Sequence, residues 1–362
     1  MKIIYSYNKT GFEAEMYEAN IRKASDDHFD FIPFNHGQFL DPRNYLEAVA
    51  LDRLYQARHP SLVAMYQALQ RLIAETGAAA LIAFNCPPYH PDFLRTIAVY
   101  KVLYSGDDPG STYIRNIPYQ HAYDHLFYAN PGYSRDMDMA EKMRYCGVKN
   151  ADFVPIGVME GAYDPGISEA DLFQRPRDID VIYVGAFYQQ KLSLLAKLKR
   201  ALGKRFQVYG FFRFSHNLFF IFRHRYPGWV SPVTFPERVR LHQRAKIGIN
   251  IHWNEYNLGN ERTYYLPANG VMQICDCAPL HSRLFPEPGE IVGYSDFDDL
   301  VKKIRYYLDH EEERQAIARA GFRRVMAEYR FVEITRKAAR KIVDGMDRIG
   351  FSLSRSVPVW QP

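Results

Sequence analysis

The largest group of side chains able to bind a polar ligand lies between residues 252 and 265. An apolar strand predicted at residues 247–251 leads into this loop, whose polar members are His252, Asn254, Glu255, Asn257, Asn260, Glu261 and Arg262. In open α/β sheets, ligands bind outside the carboxyl ends of parallel strands, where the loops collect. The position of the loop therefore favours a binding site, and a solvated surface loop is the alternative.

Arg262 is the candidate in this segment for binding an anion, because a guanidinium group can contact two phosphate oxygens at once. Lys191 is a second candidate, since its ammonium group acts as a point charge at the start of a helix predicted at residues 191–202. Both residues lie at predicted strand–loop–helix junctions. For Arg262, a surface ion pair with Glu261 or Glu255 is the alternative.

Asp107 and Asp108 are adjacent carboxylates in a loop that follows a strand predicted at residues 99–104. A carboxylate at this position can take a proton from a hydroxyl group as a general base. Turn formation or helix capping is the alternative, since Asp before Pro is common in turns. Four further residues are candidate bases that the sequence does not rank: Glu13, His36, His90 and His121.

The first predicted strand, residues 2–5, ends in a polar turn before a helix predicted at residues 12–24. Its turn residues are predicted to line a cleft of the N-terminal half: Asn8, Lys9, Thr10 and Gly11. A plain connection between strand and helix is the alternative. Because the turn lacks the GxGxxG pattern, it gives no indication of a dinucleotide site.

A scaffold of parallel strands would position these residues. Along the chain, short apolar runs alternate with segments of helical periodicity, as such a scaffold requires. Strands are predicted at residues 2–5, 80–84, 99–104, 126–129, 152–155, 179–185, 206–209, 247–251 and 271–275. This alternation indicates an α/β protein with two doubly wound domains. A turn-rich segment at residues 162–166 is the predicted linker between them.

The length of 362 residues accommodates two domains, and a hydrophobic content of 47% is that of a globular protein. The net charge of +5 suits an anionic substrate and is too small to indicate a nucleic-acid-binding protein. The four cysteines show neither a disulfide framework nor zinc-site spacing. With no signal peptide and no apolar run of about 18 residues, the sequence predicts a cytoplasmic protein.

Two motifs of the C-terminal half carry a family resemblance. Residues 260–270 (NERTYYLPANG) are followed by a strand and then by residues 284–290 (LFPEPGE). Upstream, a strand and Gly185 precede the basic Lys191. This arrangement resembles the group-1 glycosyltransferases of the GT-B fold, specifically the set that includes the CgeB-like spore proteins. The resemblance extends from about residue 178 to residue 329 and is weaker before that.

The resemblance implies an α/β protein of the GT-B class, in which two Rossmann-like domains face each other across a cleft. Residues 1–168 would form the acceptor domain and residues 169–335 the nucleotide-sugar domain. Residues 336–362 would form a helix and tail that cross back to the first domain.

It also implies a donor site in the second domain. The predicted donor-binding residues are Gly185, Lys191, Gly210, His252, Asn257, Asn260, Glu261, Arg262, Thr263, Tyr264 and Tyr265. GT-B enzymes compensate the charge of the leaving diphosphate with basic side chains and helix N-termini, so we expect no metal and no cofactor. Asp107 or Asp108 would be the base of an inverting enzyme.

Tyr265 is a departure from the family pattern, which usually has Glu at this position to bind the nucleotide ribose. A phenol can hydrogen-bond a hydroxyl group, but it is not a two-oxygen acceptor. Either Glu261 takes over this role or the ribose is recognised differently. Adjacent Asp107 and Asp108 also lack the intervening residue of the DxD motif that binds Mn²⁺ in GT-A enzymes.

Residues 211–229 mix aromatic side chains with Arg213, Arg223 and Arg225. Such a segment can lie on a membrane surface or hold a lipid-linked acceptor, which leaves peripheral association with the inner membrane face open. A buried element whose arginines extend to solvent is the alternative.

The leading functional prediction is a metal-independent hexosyltransferase that moves a sugar from a nucleotide-sugar donor to a glycan, lipid-linked or other glycoconjugate acceptor. One alternative is a nucleotide-sugar epimerase, which shares the fold and needs no acceptor. Another is a catalytically silent protein that binds a sugar or nucleotide. This alternative stays open because Tyr265 stands where the family usually has Glu. The sequence does not identify the donor sugar, the acceptor, the stereochemistry or the oligomeric state.

Overall fold

The computed structural model describes residues 1–45, 47–85, 87–106, 110, 112–134, 136–252, 259–276 and 282–352. The chain divides into two compact units. The first unit contains residues 1–159 together with 331–362, and the second contains residues 160–330.

The first unit is built on a six-stranded sheet with the order β2-β1-β3-β4-β5-β6, in which every neighbouring pair is parallel. Its strands are β1 (Lys2–Tyr7), β2 (Asp30–Asn35), β3 (Ala80–Phe84), β4 (Tyr100–Ser105), β5 (His125–Tyr128) and β6 (Ala151–Phe153). Its helices before residue 159 are α1 (Gly11–Lys23), α2 (Ala48–Gln56), α3 (Pro60–Thr76), α4 (Pro91–Leu94), α5 (Ile117–Tyr119) and α6 (Met139–Tyr145).

The second unit has a five-stranded parallel sheet with the order β11-β10-β9-β7-β8. Its strands are β7 (Ile179–Ala186), β8 (Phe206–Phe211), β9 (Ala245–Asn250), β10 (Met272–Cys275) and β11 (Val292–Gly293). Its helices are α7 (Glu169–Gln174), α8 (Gln189–Leu202), α9 (Phe214–His224), α10 (Phe235–Gln243), α11 (Arg262–Ala268), α12 (Phe297–Asp309) and α13 (Glu311–Glu328).

Both faces of the second sheet are covered, as alternate residues of β7 show. Val181 and Tyr183 belong to one buried cluster, while Ile182 and Val184 belong to another on the opposite face. Side chains of a strand point alternately to the two faces, so two clusters mean two covered faces. This explains why β7 is an almost continuous apolar run, as is typical of a buried parallel strand.

The strand order reverses between β7 and β9 in the second unit. From β7 the chain moves outward to β8 and then returns to the other side of β7 as β9. Such a reversal in a doubly wound sheet opens a crevice at the carboxyl ends of the two strands between which it occurs. In doubly wound sheets, this switch point is the usual place for a ligand.

The last helix, α14 (Phe331–Ile349), belongs to the first unit. The Phe331 ring packs against Tyr5 at 5.9 Å, and the Arg336 Nε donates to the Ala24 carbonyl at 3.0 Å. Lys341 pairs with Asp152 at 3.1 Å.

The boundaries between the units differ from those expected at residues 168 and 335. Residues 160–168 belong to the second unit, where the Asn269 side chain donates to the Ala162 carbonyl at 2.9 Å. Residues 331–335 belong to the first unit and form the start of α14. The Phe331 N–H donates to the Val158 carbonyl of the same unit at 2.8 Å.

Candidate functional site

Asn250 is the last residue of β9, and it connects the polar side chains at the carboxyl edge of the second sheet. Its fully buried amide nitrogen donates to Gln273 Oε1 at 2.9 Å and to Thr263 Oγ1 at 3.1 Å. Its oxygen accepts from Asn260 Nδ2 at 2.8 Å and from Arg262 Nε at 3.2 Å. Because buried amide groups need partners, this network fixes β10 and the start of α11 against β9.

Arg262 bridges the switch point between β7 and β9. Its Nη1 donates to the Val184 carbonyl at 3.2 Å, and its Nη2 donates to the Ile251 carbonyl at 3.0 Å. The guanidinium group also lies over the Tyr183 ring, 4.9 Å from the ring centroid. These two bonds and the one from Nε to Asn250 use three of the five N–H groups of arginine, so two remain for a ligand.

Gly185 and Gly210 allow the strand ends to approach closely. A Cβ atom at Gly185 would lie 2.6 Å from the Arg262 Nη1, and one at Gly210 would lie 1.7 Å from the Gly185 carbonyl oxygen. The two glycines are paired in the register of β7 and β8. Glycine is therefore required here by the packing of backbone against backbone and of Arg262 against β7.

His252 and Asp276 form a buried pair at the ends of β9 and β10. Asp276 Oδ1 lies 2.6 Å from His252 Nδ1, and Asp276 Oδ2 accepts from the His252 backbone N–H at 3.0 Å. Burial lowers the pKa of His252, although Asp276 opposes this shift. The ring is therefore neutral at pH 7: Nδ1 carries the proton, and Nε2 accepts from Thr263 Oγ1 at 3.2 Å.

Burial opposes ionisation of Asp276, but its hydrogen bonds to His252 outweigh this effect and lower the pKa of its carboxyl group. Asp276 thus remains an anion beside the crevice. Both nitrogens of the His252 ring are engaged within the chain, so we interpret His252 as a residue that orients Asp276 and Thr263.

Lys191 is a cation of the site, and its side chain has few polar contacts. It lies in the first turn of α8 and is almost completely buried, with its ammonium group 5.1 Å from the Tyr188 ring centroid. Among the described residues its ammonium group makes no hydrogen bond or ion pair, although its backbone N–H donates to the Tyr188 carbonyl at 3.0 Å. Burial, reinforced by the charge of Arg262 and partly opposed by Asp276, lowers the pKa of Lys191 to about 7. An anion bound here would supply the missing charge compensation.

Comparison with known proteins connects this geometry to a fold family. Residues 190–339 match a family model described as glycosyl transferase-like. Sucrose-phosphate synthase from Thermosynechococcus elongatus is similar with a TM-score of 0.64 and 11% identity, over 96% of this chain and 99% of that protein. A glycosyltransferase from Rickettsia africae has a TM-score of 0.60 and 9% identity, over 95% and 98%.

HepE from Anabaena, in complex with UDP and glucose, has a TM-score of 0.57 and 12% identity, over 95% of this chain and 99% of that protein. No curated protein sequence matches the chain. The chain has the GT-B fold. The α/β class and the GT-B fold predicted from the sequence are therefore confirmed.

In this GT-B scaffold, the structure brings together six of the predicted donor-site residues at the carboxyl edge of the second sheet. They are Gly185, Lys191, His252, Asn260, Arg262 and Thr263. Gly210 lies beside them on β8. Their role in binding a donor stays a prediction.

Tyr264 and Tyr265 lie on α11 with their rings packed into the unit. Tyr264 is fully buried against Tyr329 at 5.2 Å, and its hydroxyl has no hydrogen-bond partner among the described residues. Tyr265 packs against Phe235 at 6.2 Å, with the Arg238 guanidinium 4.9 Å from its ring centroid. These contacts favour a packing role for both rings.

Glu261 precedes α11 and pairs with Arg238 at 3.6 Å, which leaves it half-exposed at the rim of the site. The sequence alternative of an ion pair between Glu261 and Arg262 is not what the structure shows. The predicted donor residue Asn257 and the predicted bases Asp107 and Asp108 lie outside the described residues.

The N-terminal turn lies at the carboxyl end of β1, which is the switch point of the first sheet. Asn8 Nδ2 donates to the Tyr45 hydroxyl at 3.2 Å, and the Lys9 ammonium pairs with Glu13 at 3.0 Å. Thr10 precedes α1, and Gly11 begins it with a positive φ of 55°. All four residues are at least partly exposed, as a ligand-facing turn requires.

Sequence reasoning missed Asn250 and Asp276. Asn250 lies within an apolar strand, so it was counted with the core, and Asp276 directly follows the apolar strand β10. A polar residue at the carboxyl end of each central strand is the signal that could have found them.

Within the described ranges, no group of three or more His, Cys, Asp or Glu side chains is placed to hold a metal ion. Of the helices in the described part of the chain, none is long and apolar enough to cross a bilayer.

Proposed function

We propose that the protein is a glycosyltransferase that uses a nucleotide-sugar donor, bound at the switch point of its second unit. The observation that carries the proposal is the buried Lys191 beside Arg262 at the carboxyl edge of a GT-B sheet, where neither cation is hydrogen-bonded to a carboxylate of the described residues. Two cations without a hydrogen-bonded carboxylate favour an anionic ligand such as a diphosphate. The family-model match over residues 190–339 supports the same reaction class.

The chemistry requires stabilisation of the negative charge that grows on the leaving diphosphate. Lys191 would act as a point charge, and the two unused N–H groups of Arg262 would donate to phosphate oxygens. The N-terminus of α8, a helix of 14 residues, adds a partial positive charge from the same side. We therefore propose a reaction that needs no metal ion, with Asp107 or Asp108 as the base if the enzyme inverts configuration.

UDP-linked hexoses are the first donors to test, because HepE, a protein of the same fold, binds UDP and glucose. The acceptor would be a glycan or glycoconjugate. The narrower likeness to CgeB-like proteins stays a prediction. The family-model match does not favour the epimerase alternative, which product analysis would distinguish by its independence of an acceptor.

The test is a thermal-shift panel of nucleoside diphosphates and nucleotide sugars in the presence of EDTA. A ligand that binds the folded state at 100 times its dissociation constant adds about 2.7 kcal/mol of stability. We expect one nucleotide to raise the melting temperature of the wild-type protein. We expect Lys191→Met to remove the shift, because the substitution keeps the length of the side chain and deletes its charge.

Lys197→Met is the matched control, since Lys197 lies on the same helix with an exposed side chain. Binding that is equal in Lys191→Met and Lys197→Met would contradict the donor-site assignment. Binding without turnover of any nucleotide sugar would instead favour the catalytically silent alternative. A requirement for Mg²⁺ or Mn²⁺ would refute metal independence alone.

We further propose that α9 and its flanking loops rest on an anionic membrane surface, which would bring the site to a lipid-linked acceptor. Phe222 is 79% exposed and Phe214 is 69% exposed, and the Phe214 ring lies 5.5 Å from the Trp229 ring. Residues 211–229 contain three arginines and no acidic residue. Exposed aromatic side chains beside arginines are typical of helices that lie in a membrane interface.

Sedimentation with phosphatidylcholine vesicles, with and without phosphatidylglycerol, tests this surface. We expect binding that requires the anionic lipid and is lost in Phe214→Ser/Phe222→Ser. The control is Tyr145→Ser, because Tyr145 is 81% exposed in the first unit. Equal loss in both variants, or no binding by the wild-type protein, would refute the membrane surface and leave the donor site untouched.

A further inference from the structure

A cavity of about 240 Å³ lies at the other edge of the second sheet, where its strands begin. It is bordered by Lys246 near the start of β9, by Arg177 before β7 and by Gly270 before β10. Asn250, at the far end of β9, is four residues from Lys246, which corresponds to roughly 13 Å along a strand. The cavity is therefore separate from the proposed donor site.

The cavity is strongly basic. Among the described residues that line it, Arg175, Arg177, Lys246 and Arg314 are cationic, and Glu311 is acidic. Glu311 is largely exposed and pairs with Arg314 at 3.4 Å. Lys246 pairs with Asp180, outside the lining, at 2.7 Å. Among the described residues Arg175 and Arg177 have no carboxylate partner, so the lining keeps a net positive charge.

Neutral carbonyl groups hold the two most buried of these arginines in place. Arg177 donates to the carbonyls of Ala245 at 2.6 Å and Asn269 at 3.1 Å, and Arg314 donates to the Tyr307 carbonyl at 2.8 Å. These bonds orient the guanidinium groups without cancelling their charge. Burial lowers the pKa of Arg177 to about 10, and the charges of Arg314 and Arg175 add to this shift. The arginines therefore repel one another when the cavity is empty.

Gly270 leaves room for the Arg177 guanidinium group. A Cβ atom there would lie 2.6 Å from the Arg177 Nη2, and the glycine has a positive φ of 69°. Any other residue would displace the guanidinium group or strain the turn before β10. Glycine at position 270 therefore allows the Arg177 side chain to lie at the cavity wall.

We propose that this cavity is a second ligand site, which binds a small anion carrying phosphate groups. Several fixed guanidinium groups match phosphate oxygens, which accept paired hydrogen bonds from arginine. The volume is below the roughly 300–1,000 Å³ of pockets for drug-sized ligands, so the ligand is smaller than a nucleotide sugar. Because the cavity contacts the starts of β7, β9 and β10, an occupant would stabilise the sheet that carries the proposed donor site at its other edge.

Isothermal titration with inorganic pyrophosphate, at constant ionic strength in sodium chloride, tests the proposal. The informative variant is Arg175→Gln/Lys246→Gln, because both side chains are at least partly exposed. Its control is Arg205→Gln. Arg205 and Lys246 each pair with Asp180 at 2.7 Å, but Arg205 does not line the cavity. We expect the double variant to weaken binding about 10- to 100-fold, from the loss of charge-assisted hydrogen bonds, and the control to leave it unchanged.

Pyrophosphate could also bind at Lys191, so Lys191→Met is measured in parallel. Binding that survives Lys191→Met and is lost in the cavity variant supports the second site. Binding that is lost in Lys191→Met and survives in the cavity variant assigns the anion to the donor site and overturns the proposal. The proposal also fails if pyrophosphate binds the wild-type protein no better than chloride does.

Discussion

With Lys191 in the proposed donor site, we expect the affinity for a nucleotide sugar to depend on pH in a range where the donor itself does not titrate. Burial and the charge of Arg262, partly opposed by Asp276, lower the pKa of the free ammonium group from 10.5 to about 7, so about half of the side chains carry a proton at pH 7. A diphosphate in contact with the ammonium group would hold the proton and raise this pKa. Binding is therefore linked to proton uptake above pH 7.

The size of the effect follows from the fraction of Lys191 that is protonated before binding. If the complex keeps its proton throughout, raising the pH from 7 to 8 weakens donor binding about fivefold, and raising it to 8.5 weakens binding about sixteenfold. Below about pH 6 the side chain is charged in both states, and the dependence vanishes. Titration calorimetry in buffers of different ionisation enthalpy would measure both the affinity and the protons taken up.

The unliganded protein should show the opposite trend. Between about pH 7 and pH 10.5 the unfolded chain binds a proton at Lys191 that the folded chain does not, so the free energy of unfolding rises with pH. The slope from this group cannot exceed about 1.4 kcal/mol per pH unit. Lys191→Met should abolish both trends, whereas Lys197→Met should keep them. A donor affinity that is constant from pH 6.5 to 8.5 would refute the reasoning.

Other substitutions at the same sheet edge have distinct expected effects. Gly210→Ala should lower the free energy of unfolding by about 1–3 kcal/mol or more in denaturant titration, because the added Cβ would lie 1.7 Å from the Gly185 oxygen. Asp276→Asn should move the pH midpoint of donor binding below 7 in calorimetry, since Asp276 raises the pKa of Lys191. Arg262→Lys should lower the melting temperature, because an ammonium group cannot bridge two strand ends as the guanidinium group does.

Most strands of both sheets could be predicted from the sequence because their apolar runs are short and end in polar or glycine-containing turns. The strand at residues 80–84 has the predicted bounds, and β7 differs from its prediction by one residue. Strand β2 was not predicted, since Pro33 interrupts its apolar pattern. The structure places β2 at the edge of the sheet, where Pro33 pairs with Tyr5 and a missing N–H group is tolerated.

The candidate site could be predicted only as a position along the chain. The loop after β9 was recognisable from its polar residues, but partners come from distant segments: Arg262 contacts Val184, and His252 contacts Asp276. Such pairs depend on strand order, and periodicity does not reveal which strands are neighbours. For the same reason, the basic cavity formed by Arg175, Arg177, Lys246 and Arg314 has no sequence signature.

The role of Arg262 shows how the fold and the proposed chemistry depend on one another. Its guanidinium group closes the switch point by bonding the ends of β7 and β9, and its charge helps to lower the pKa of Lys191. The packing that forms the crevice therefore also places two like charges in a buried position, which destabilises the empty site. The proposed anionic donor would relieve this repulsion, so the repulsion would favour the bound state over the free one. Removing Arg262 would consequently alter donor affinity in two opposing ways, through the loss of hydrogen bonds and through a higher pKa of Lys191, and Lys191 is the cleaner residue to test.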